Sequence, residues 1–340
     1  MIIFVKDSLR ASVEAATGGK TTVLYDDRGY PSYMAVIPKF NIEDIDATEA
    51  MGTGVHPAFL KGGVEKSELF TGQYPAIVKD GRALSLPGVD PTASIDFDAA
   101  KGYCTAKGAG WHLMTNWEWA AISLWCIKNG FQPRGNTDYG RHHDQVHEQA
   151  RRQDGLAPGL ASGTARTLTG SGPASWRHDK SLAGISDMVG NVYKWVDGMK
   201  LVDGKFFMPN DNDFDADEAD WVDQGVIIAD DAGTTKLGTI ADTLETTGAT
   251  TFGAWKGLTT TTNFDALAAV TKQRMQQAMI DPFNTSDPVG TLYFETDGER
   301  VPLRGGSWIY TSDAGLATLN LHSVRSYSNT TVGFFPAFVP

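Results

Sequence analysis

Two β-prone runs stand near the N-terminus, Thr21-Thr-Val-Leu-Tyr25 and Tyr33-Met-Ala-Val-Ile-Pro38. Between them Asp26-Asp-Arg-Gly29 carries a turn signal, because aspartate and glycine accept tight-turn backbones. Residues 1–45 therefore predict strands and turns. Residues 46–93, punctuated by Gly52, Gly54, Gly62, Gly63 and Pro87-Gly88, predict loops and short strands. The apolar period then lengthens to that of a helix. From Ser94 to Ala106, Phe97, Ala100, Tyr103 and Cys104 fall on one stripe, and Lys107-Gly108-Ala109-Gly110 ends it. A second helix opens at Thr115. Glu118 stands three residues on, as in a capping box, and the predicted buried face is Trp117, Ala120, Ala121, Leu124 and Trp125. Asn129-Gly130 stops this helix.

Residues 131–190 are glycine-rich and polar and predict mostly loop. Val189-Gly-Asn-Val-Tyr-Lys-Trp-Val196 predicts a turn into a strand. The composition shifts at 199–299. Asp211 to Asp223 holds seven acidic residues and no basic one, Thr234 to Thr262 holds twelve threonines, and Phe264 to Ile280 predicts one helix. After Arg300 strands return at Leu303–Trp308 and Val332–Phe338.

Composition narrows the choice. Glycine is 37 of 340 residues, which favours turn-rich architecture over a helical bundle. The net charge of −12 opposes a sequence-independent grip on nucleic acid or docking on anionic lipid. That charge is local: residues 199–299 carry 18 acidic and 6 basic side chains, and the remainder is balanced. Two cysteines exclude a disulfide-rich scaffold and a four-cysteine zinc site. The longest largely apolar run, Ala120 to Ile127, is too short to span a bilayer, and Met1 to Asp7 does not read as a Sec signal peptide.

Chemical candidates are few. His143 and His147 stand four apart, with His142, Asp144 and Glu148 beside them, and this predicts a solvated polar face in preference to a metal site. The run from Asp211 offers oxygen donors at alternate positions, but a calcium loop starting there needs glycine at Ala216 and glutamate at Val222. A solvated acidic loop is the expectation. Cys104 and Cys126 sit on predicted buried faces, as small hydrophobes. No nucleophile elbow or Walker loop occurs, and Gly170-Ser-Gly172 lacks a strand–helix context. Trp111, Trp117, Trp119, Trp125, Trp176, Trp195 and Trp308 are expected in the core.

Four motifs then align with a family. Gly110-Trp-His-Leu-Met-Thr-Asn-Trp-Glu-Trp-Ala-Ala121, Gly190-Asn-Val-Tyr-Lys-Trp195, Arg304-Gly-Gly-Ser-Trp308 and Gly333-Phe-Phe335 resemble, in order, motifs of the formylglycine-generating-enzyme branch of the C-type lectin fold. The resemblance spans residues 95–338. It implies an α+β, C-type lectin-like fold with two helices and a small twisted antiparallel sheet. To this the chain adds an N-terminal hairpin extension (1–45) and the insertion 199–299 within a 46–340 domain. The cysteine pair that the enzymes carry after Arg-Gly-Gly-Ser-Trp is missing: Ile309 to Pro340 holds no cysteine. The expectation is no enzyme and no cofactor, with a formylglycine-generating-type oxidoreductase as one alternative and a virion structural protein as another.

The segments 107–116 and 168–178 and the C-terminus also resemble variable proteins of diversity-generating retroelements, in which adenine-directed mutagenesis rewrites asparagine codons in the last strands of this fold. Arg304, Gly305, Gly306, Trp308, Ala314-Gly315, Leu319-Asn-Leu321, Arg325-Ser326, Ser328 and Gly333-Phe334 keep the family frame. Ser307, Ile309, Tyr310, Asp313, His322, Ser323, Tyr327, Thr330 and Thr331 stand where the family has asparagine, Asn329 matches it, and Phe335 replaces an arginine. Rewriting the adenines of an asparagine codon cannot yield Lys, Glu, Gln, Met or Trp, and Ile309 to Phe335 contains none of these. Aromatics among small polar residues also make up the composition of antibody paratopes. The resemblance implies a variable region at 304–338, with Arg304, Gly305, Gly306, Trp308, Trp195 and Gly333 as scaffold. It implies a viral or phage-like receptor-binding protein at a virion or cell exterior, whose partner is a host-surface protein or other macromolecular ligand.

Overall fold

The computed structural model of the chain describes residues 7–231, 234–239, 250–254, 267–281 and 289–340. Met1–Lys6, most of the threonine-rich stretch and the first three residues of the predicted 264–280 helix lie outside the described residues. The architecture is mixed α+β, with few helices and several sheets.

The N-terminal hairpin forms as its sequence demands. Thr21–Tyr25 pairs antiparallel with Pro31–Pro38, and the Asp26 carboxylate closes the turn by accepting from the Arg28 and Tyr30 amides, each at 2.9 Å. The hairpin does not stand apart. Its second strand pairs with Glu68–Gly72, which pairs with the C-terminal Pro336–Phe338, which pairs with Trp111–Leu113. The two chain ends thus share one antiparallel sheet.

The expected single antiparallel sheet is a correction. A second sheet runs Thr250–Ala254, Thr291–Glu295, Leu319–Leu321, Leu303–Arg304, Tyr193–Trp195, Val332–Phe334. Two of its pairings are parallel: Thr291–Glu295 with Leu319–Leu321, and Val332–Phe334 with Tyr193–Trp195. Parallel neighbours need long crossovers: Glu299–Arg300 and Leu303–Arg304 lie within the first, and the strands of the insertion lie within the second. A third, antiparallel sheet is built largely by the insertion: Thr234–Gly238, Val222–Asp231, Lys205–Met208, Lys200–Val202, Glu299–Arg300. The described part of the insertion is no separate body. Met208, Val226, Ile228, Leu237, Met275, Ile280, Leu292 and Phe294 join the hydrophobic cluster that holds Trp117 and Trp119.

Both expected helices form. The first is shorter than read, Phe97–Thr105, because the Asp96 carboxylate accepts the Ala99 amide at 2.8 Å and so fixes the start. The second, Asn116–Lys128, opens on the capping box: Thr115 Oγ1 accepts the Glu118 amide, and Glu118 Oε2 accepts the Thr115 amide. Its predicted one-sided face is too narrow. Every residue from Asn116 to Leu124 is buried, and Trp125 is the half-buried one. Among the described residues of 264–280 the helix is Ala269–Gln277.

Two further expectations are corrected. Ser8–Thr17 is a helix, although the 1–45 reading was strands and turns. Asp7 caps it, Gly18 ends it at φ +61°, and none of its residues is fully buried; Leu9, Val13 and Ala16 form a short stripe at helical spacing. The acidic run is not a simple solvated loop. Asn212 is buried: it accepts from Thr115 Oγ1 at 2.7 Å and donates to Glu118 Oε1 at 3.0 Å. His112 Nε2 bonds the same carboxylate oxygen at 2.8 Å, and its ring stacks on Phe214 at 3.7 Å. The run therefore docks on the capping box of the central helix.

The expected aromatic core holds. Trp111, Trp117, Trp119, Trp176, Trp195 and Trp308 are buried, and so are both cysteines. Among the described residues no helix is long and apolar enough to cross a membrane.

Candidate binding surface

The scaffold residues lie beneath the C-terminal loops. Arg304 is fully buried, and Asn116 Oδ1 accepts from its Nε and Nη2 at 3.0 and 2.7 Å. The carbonyls of Ala278 and Met279 accept from Nη2 at 3.2 and 3.1 Å. A desolvated guanidinium is tolerable only with such an acceptor set. It ties the central helix to the end of the insertion. Gly305 has φ +83°, and a β-carbon there would collide with the Met188 carbonyl. Gly306 has φ +76°, and a β-carbon would lie 2.5 Å from Ala314 Cβ. Only glycine fits either position. Lys194, fully buried, donates to the carbonyls of Met188 at 2.9 Å and Gly190 at 2.6 Å, and burial lowers its pKa to about 7. Trp195 Nε1 donates to the Ile95 carbonyl at 2.9 Å, and its ring meets Phe97 edge-on at 5.9 Å. Trp308 packs with Ala165 and Val192, and Gly333 lies against Thr92 and Val192.

Above this frame two loops, 307–318 and 322–331, carry most of the remaining candidates. Ile309, His322, Tyr327, Asn329 and Thr330 are exposed; Tyr310, Asp313 and Thr331 are half-buried. Three candidates are corrections. Ser307 is fully buried, and Ser323 is 6% exposed with its carbonyl accepting the Val301 amide at 3.0 Å. Phe335 is fully buried in the main core, its carbonyl accepting the Met114 amide at 3.1 Å. Ser307, Ser323 and Phe335 each stand just past or between short strands where the chain runs through the interior, and a sequence template of substitutions does not report that.

The loops are irregular but pinned through their backbones. The Thr311 amide donates to the Thr137 carbonyl at 3.0 Å, and the Trp308 carbonyl accepts the Tyr139 amide at 2.9 Å. In the second loop, the Arg325, Asn329 and Thr331 carbonyls accept the amides of Phe97, Ser94 and Tyr193 at 3.1, 2.9 and 2.7 Å. The Asn329 side chain accepts from the Thr331 amide and hydroxyl, each at 3.1 Å. Arg325 clamps the loop to the body, bridging Asp98 at 2.5 Å, Glu218 at 2.7 Å and Glu299 at 3.5 Å. These anchors raise the Arg325 pKa above its ordinary value despite an opposing desolvation. Glu218 belongs to the acidic run and also pairs with Lys101 and Lys200, at 3.4 and 3.6 Å. The insertion thus braces the second loop.

The two loops meet over tyrosines. Tyr310 packs edge-on against buried Tyr193 at 4.9 Å, and Tyr327 meets Trp195 edge-on at 6.5 Å. His322 lies over Tyr293 at 4.9 Å, tilted 35°. Burial first, and then the neighbouring phenol of Tyr327, raise the pKa of Tyr310, so its hydroxyl stays neutral and can both donate and accept. Asp313 accepts from Thr291 Oγ1 at 3.0 Å. Tyr193 and Tyr293 lie outside the C-terminal region and were not candidates. The cue was the tyrosine in Gly190-Asn-Val-Tyr-Lys-Trp195, where the resembling family has tryptophan.

The other chemical candidates do not assemble. Glu148 is held by Arg134 and by Trp176 Nε1, and it keeps its charge well down to about pH 2. Among the described residues no group of three or more His, Cys, Asp or Glu side chains gathers as a metal site. Cys104 and Cys126 lie in different hydrophobic clusters, and burial pushes both thiols up.

No protein-family model matches the chain, and no curated protein matches it by sequence. Solved structures do resemble it. PvdO from Pseudomonas aeruginosa is 13% identical, with a TM-score of 0.38 over 93% of this chain and 97% of that one. Treponema denticola variable protein 1 is 12% identical, with a TM-score of 0.38 over 94% of this chain and 99% of that one. The Major Tropism Determinant U1 variant is 12% identical, with a TM-score of 0.32 over 90% of this chain and 62% of that one.

Proposed function

We propose that the chain is a diversified ligand-binding protein of C-type lectin-like type. In this reading, Ile309, Tyr310, Asp313, His322, Tyr327, Asn329, Thr330 and Thr331 form the variable face. The partner is a macromolecule, a host-surface protein or receptor, met at a virion or cell exterior. The supporting observation is a division of labour. Eight of the positions that match or depart from the asparagine template are exposed or half-exposed, on loops whose backbones are held by hydrogen bonds from elsewhere in the chain. Of the residues that keep the family frame, Arg304, Gly305, Gly306 and Trp308 are buried beneath them, while Ser326 and Ser328 stay exposed between the variable positions.

Such an arrangement lets side chains change while the backbone stays, and it presents aromatics among small polar groups, the mix that serves recognition of many partners. The protein is proposed to be non-catalytic, because the region after Trp308 has no cysteine and the two buried thiols are set apart. The test is a library with the eight codons rewritten to any base at the first two positions and a pyrimidine at the third. Displayed and selected on a panel of purified surface proteins, it is expected to yield specific binders to several targets, with the parental thermal stability. A library that mostly unfolds, or that yields no target-specific binder, overturns the proposal.

A further inference from the structure

Away from the tyrosine surface, a cleft of about 480 Å³ opens between the Pro31–Pro38 strand, the C-terminal half of the Asn116–Lys128 helix and the loop that follows His178. This volume is in the range of small-molecule sites, roughly 300–1,000 Å³. Its lining includes buried Ile37 and Ile122 and half-buried Phe40 and Trp125. Trp125 is the one residue from 116 to 126 that escapes full burial, and it escapes it here. Phe131 braces the indole edge-on at 6.0 Å, and His178 lies tilted against it at 5.6 Å.

His178 makes the cleft more than an apolar groove. It is more than nine-tenths buried yet lines the space. Its Nδ1 accepts the Ile185 amide at 2.8 Å, which leaves Nε2 facing the open space of the cleft. Burial lowers its pKa to about 4, so the ring is neutral at physiological pH. With Nδ1 accepting, the single proton sits on Nε2. A neutral N–H that faces the water of a cleft is a donor that a ligand acceptor can take over from that water.

The charges around the cleft are already matched. Lys20 pairs with Asp179 at 3.0 Å, Asp179 also accepts from the Ser181 amide and hydroxyl, and Lys39 pairs with Glu65 at 2.7 Å. A charged ligand would have to break one of these pairs; an uncharged one need not. The geometry points to a small-molecule site for a flat, uncharged aromatic with one acceptor oxygen, its ring against Trp125 and its acceptor on His178 Nε2.

The site is independent of the variable face, and its test needs no partner protein. Acetophenone and ethylbenzene differ by a carbonyl against a methylene. Both are titrated into the full chain and followed by saturation-transfer NMR. Saturable acetophenone binding is expected, with the binding lost in Trp125→Ala. In His178→Phe the preference for acetophenone relative to ethylbenzene should fall by about fivefold or more, the worth of a lost neutral hydrogen bond. On the unmutated protein, the Nε2 nitrogen resonance of His178 should move with acetophenone and stay still with ethylbenzene, which decides the matter even if a variant fails to fold. Absence of saturation, an unchanged preference in His178→Phe, or a still Nε2 resonance each overturns the site.

Discussion

Replacing Gly306 by alanine separates frame from face. The residue sits at φ +76°, where an L side chain costs about 1–2 kcal/mol. The new β-carbon would lie 2.5 Å from Ala314 Cβ and 2.7 Å from Ala314 Cα. Backbone atoms yield poorly, and overpacking of this kind costs about 1–3 kcal/mol. The sum is about 2–5 kcal/mol, a large share of the stability of an ordinary domain. Ile309→Ser, three residues on, is the control. Ile309 is 45% exposed, so it loses about half of the ~1.5–3 kcal/mol that full burial of an isoleucine provides, near 1 kcal/mol. The assay is urea unfolding of both variants beside the parent, comparing midpoints at unchanged slope. The reasoning fails if Gly306→Ala costs less than Ile309→Ser, or if the two are equal.

Other consequences follow from the same geometry. Arg304→Met should cost about 3–5 kcal/mol, because it leaves Asn116 Oδ1 and the Met279 carbonyl without their buried donor, while the Ala278 carbonyl keeps Asn116 Nδ2; the urea midpoint measures it. Phe335→Ala should cost about 3–5 kcal/mol as a core cavity, while Tyr327→Ala should cost about 1 kcal/mol or less, so thermal melts of the pair distinguish interior from face. Stability should also fall with acid earlier than carboxylates alone would allow. His56 is buried, accepts the Ala58 amide on Nδ1, and is held down to a pKa of about 4 from an ordinary 6.5. The unfolded chain takes up this proton near its ordinary pKa and the native chain only near 4. His56 therefore contributes fully above about pH 6.5 and loses about 3 kcal/mol as the pH falls to 4. His142 and His178 act with the same sign. Urea midpoints that stay flat from pH 7.5 to 5 would contradict this.

Local chemistry was legible wherever a residue type has one structural use. The Thr115–Glu118 box, the Asp26 turn and the inward tryptophans could be read directly, because capping, turn closure and aromatic burial are short-range or near-universal preferences. The Ser8–Thr17 helix was not: its stripe of Leu9, Val13 and Ala16 is short and buries no residue fully, and the stronger β-prone runs after it set the reading of 1–45. Nor were the parallel pairings, which join strands far apart in sequence, such as Tyr193–Trp195 with Val332–Phe334. The acidic run misled for a related reason: charge suggests solvent, but Asn212 and Glu218 find buried or basic partners supplied by distant segments. At the candidate surface the template positions were visible in the sequence, and their direction was not. Ser307, Ser323 and Phe335 turn inward, while buried Tyr193 and half-buried Tyr293 support the surface from strands that pair with the C-terminal region.

The central claim, that the C-terminal loops are a face built to change, is tested most directly by sequencing the DNA around the gene. The account predicts a near-copy of the codons for residues 304–338, beside a reverse transcriptase gene. The two copies should differ at adenines alone, with the differences falling on codons such as those for Ile309, Tyr310, His322 and Tyr327. A repeat that differs at other bases, or a locus with no repeat, would contradict it.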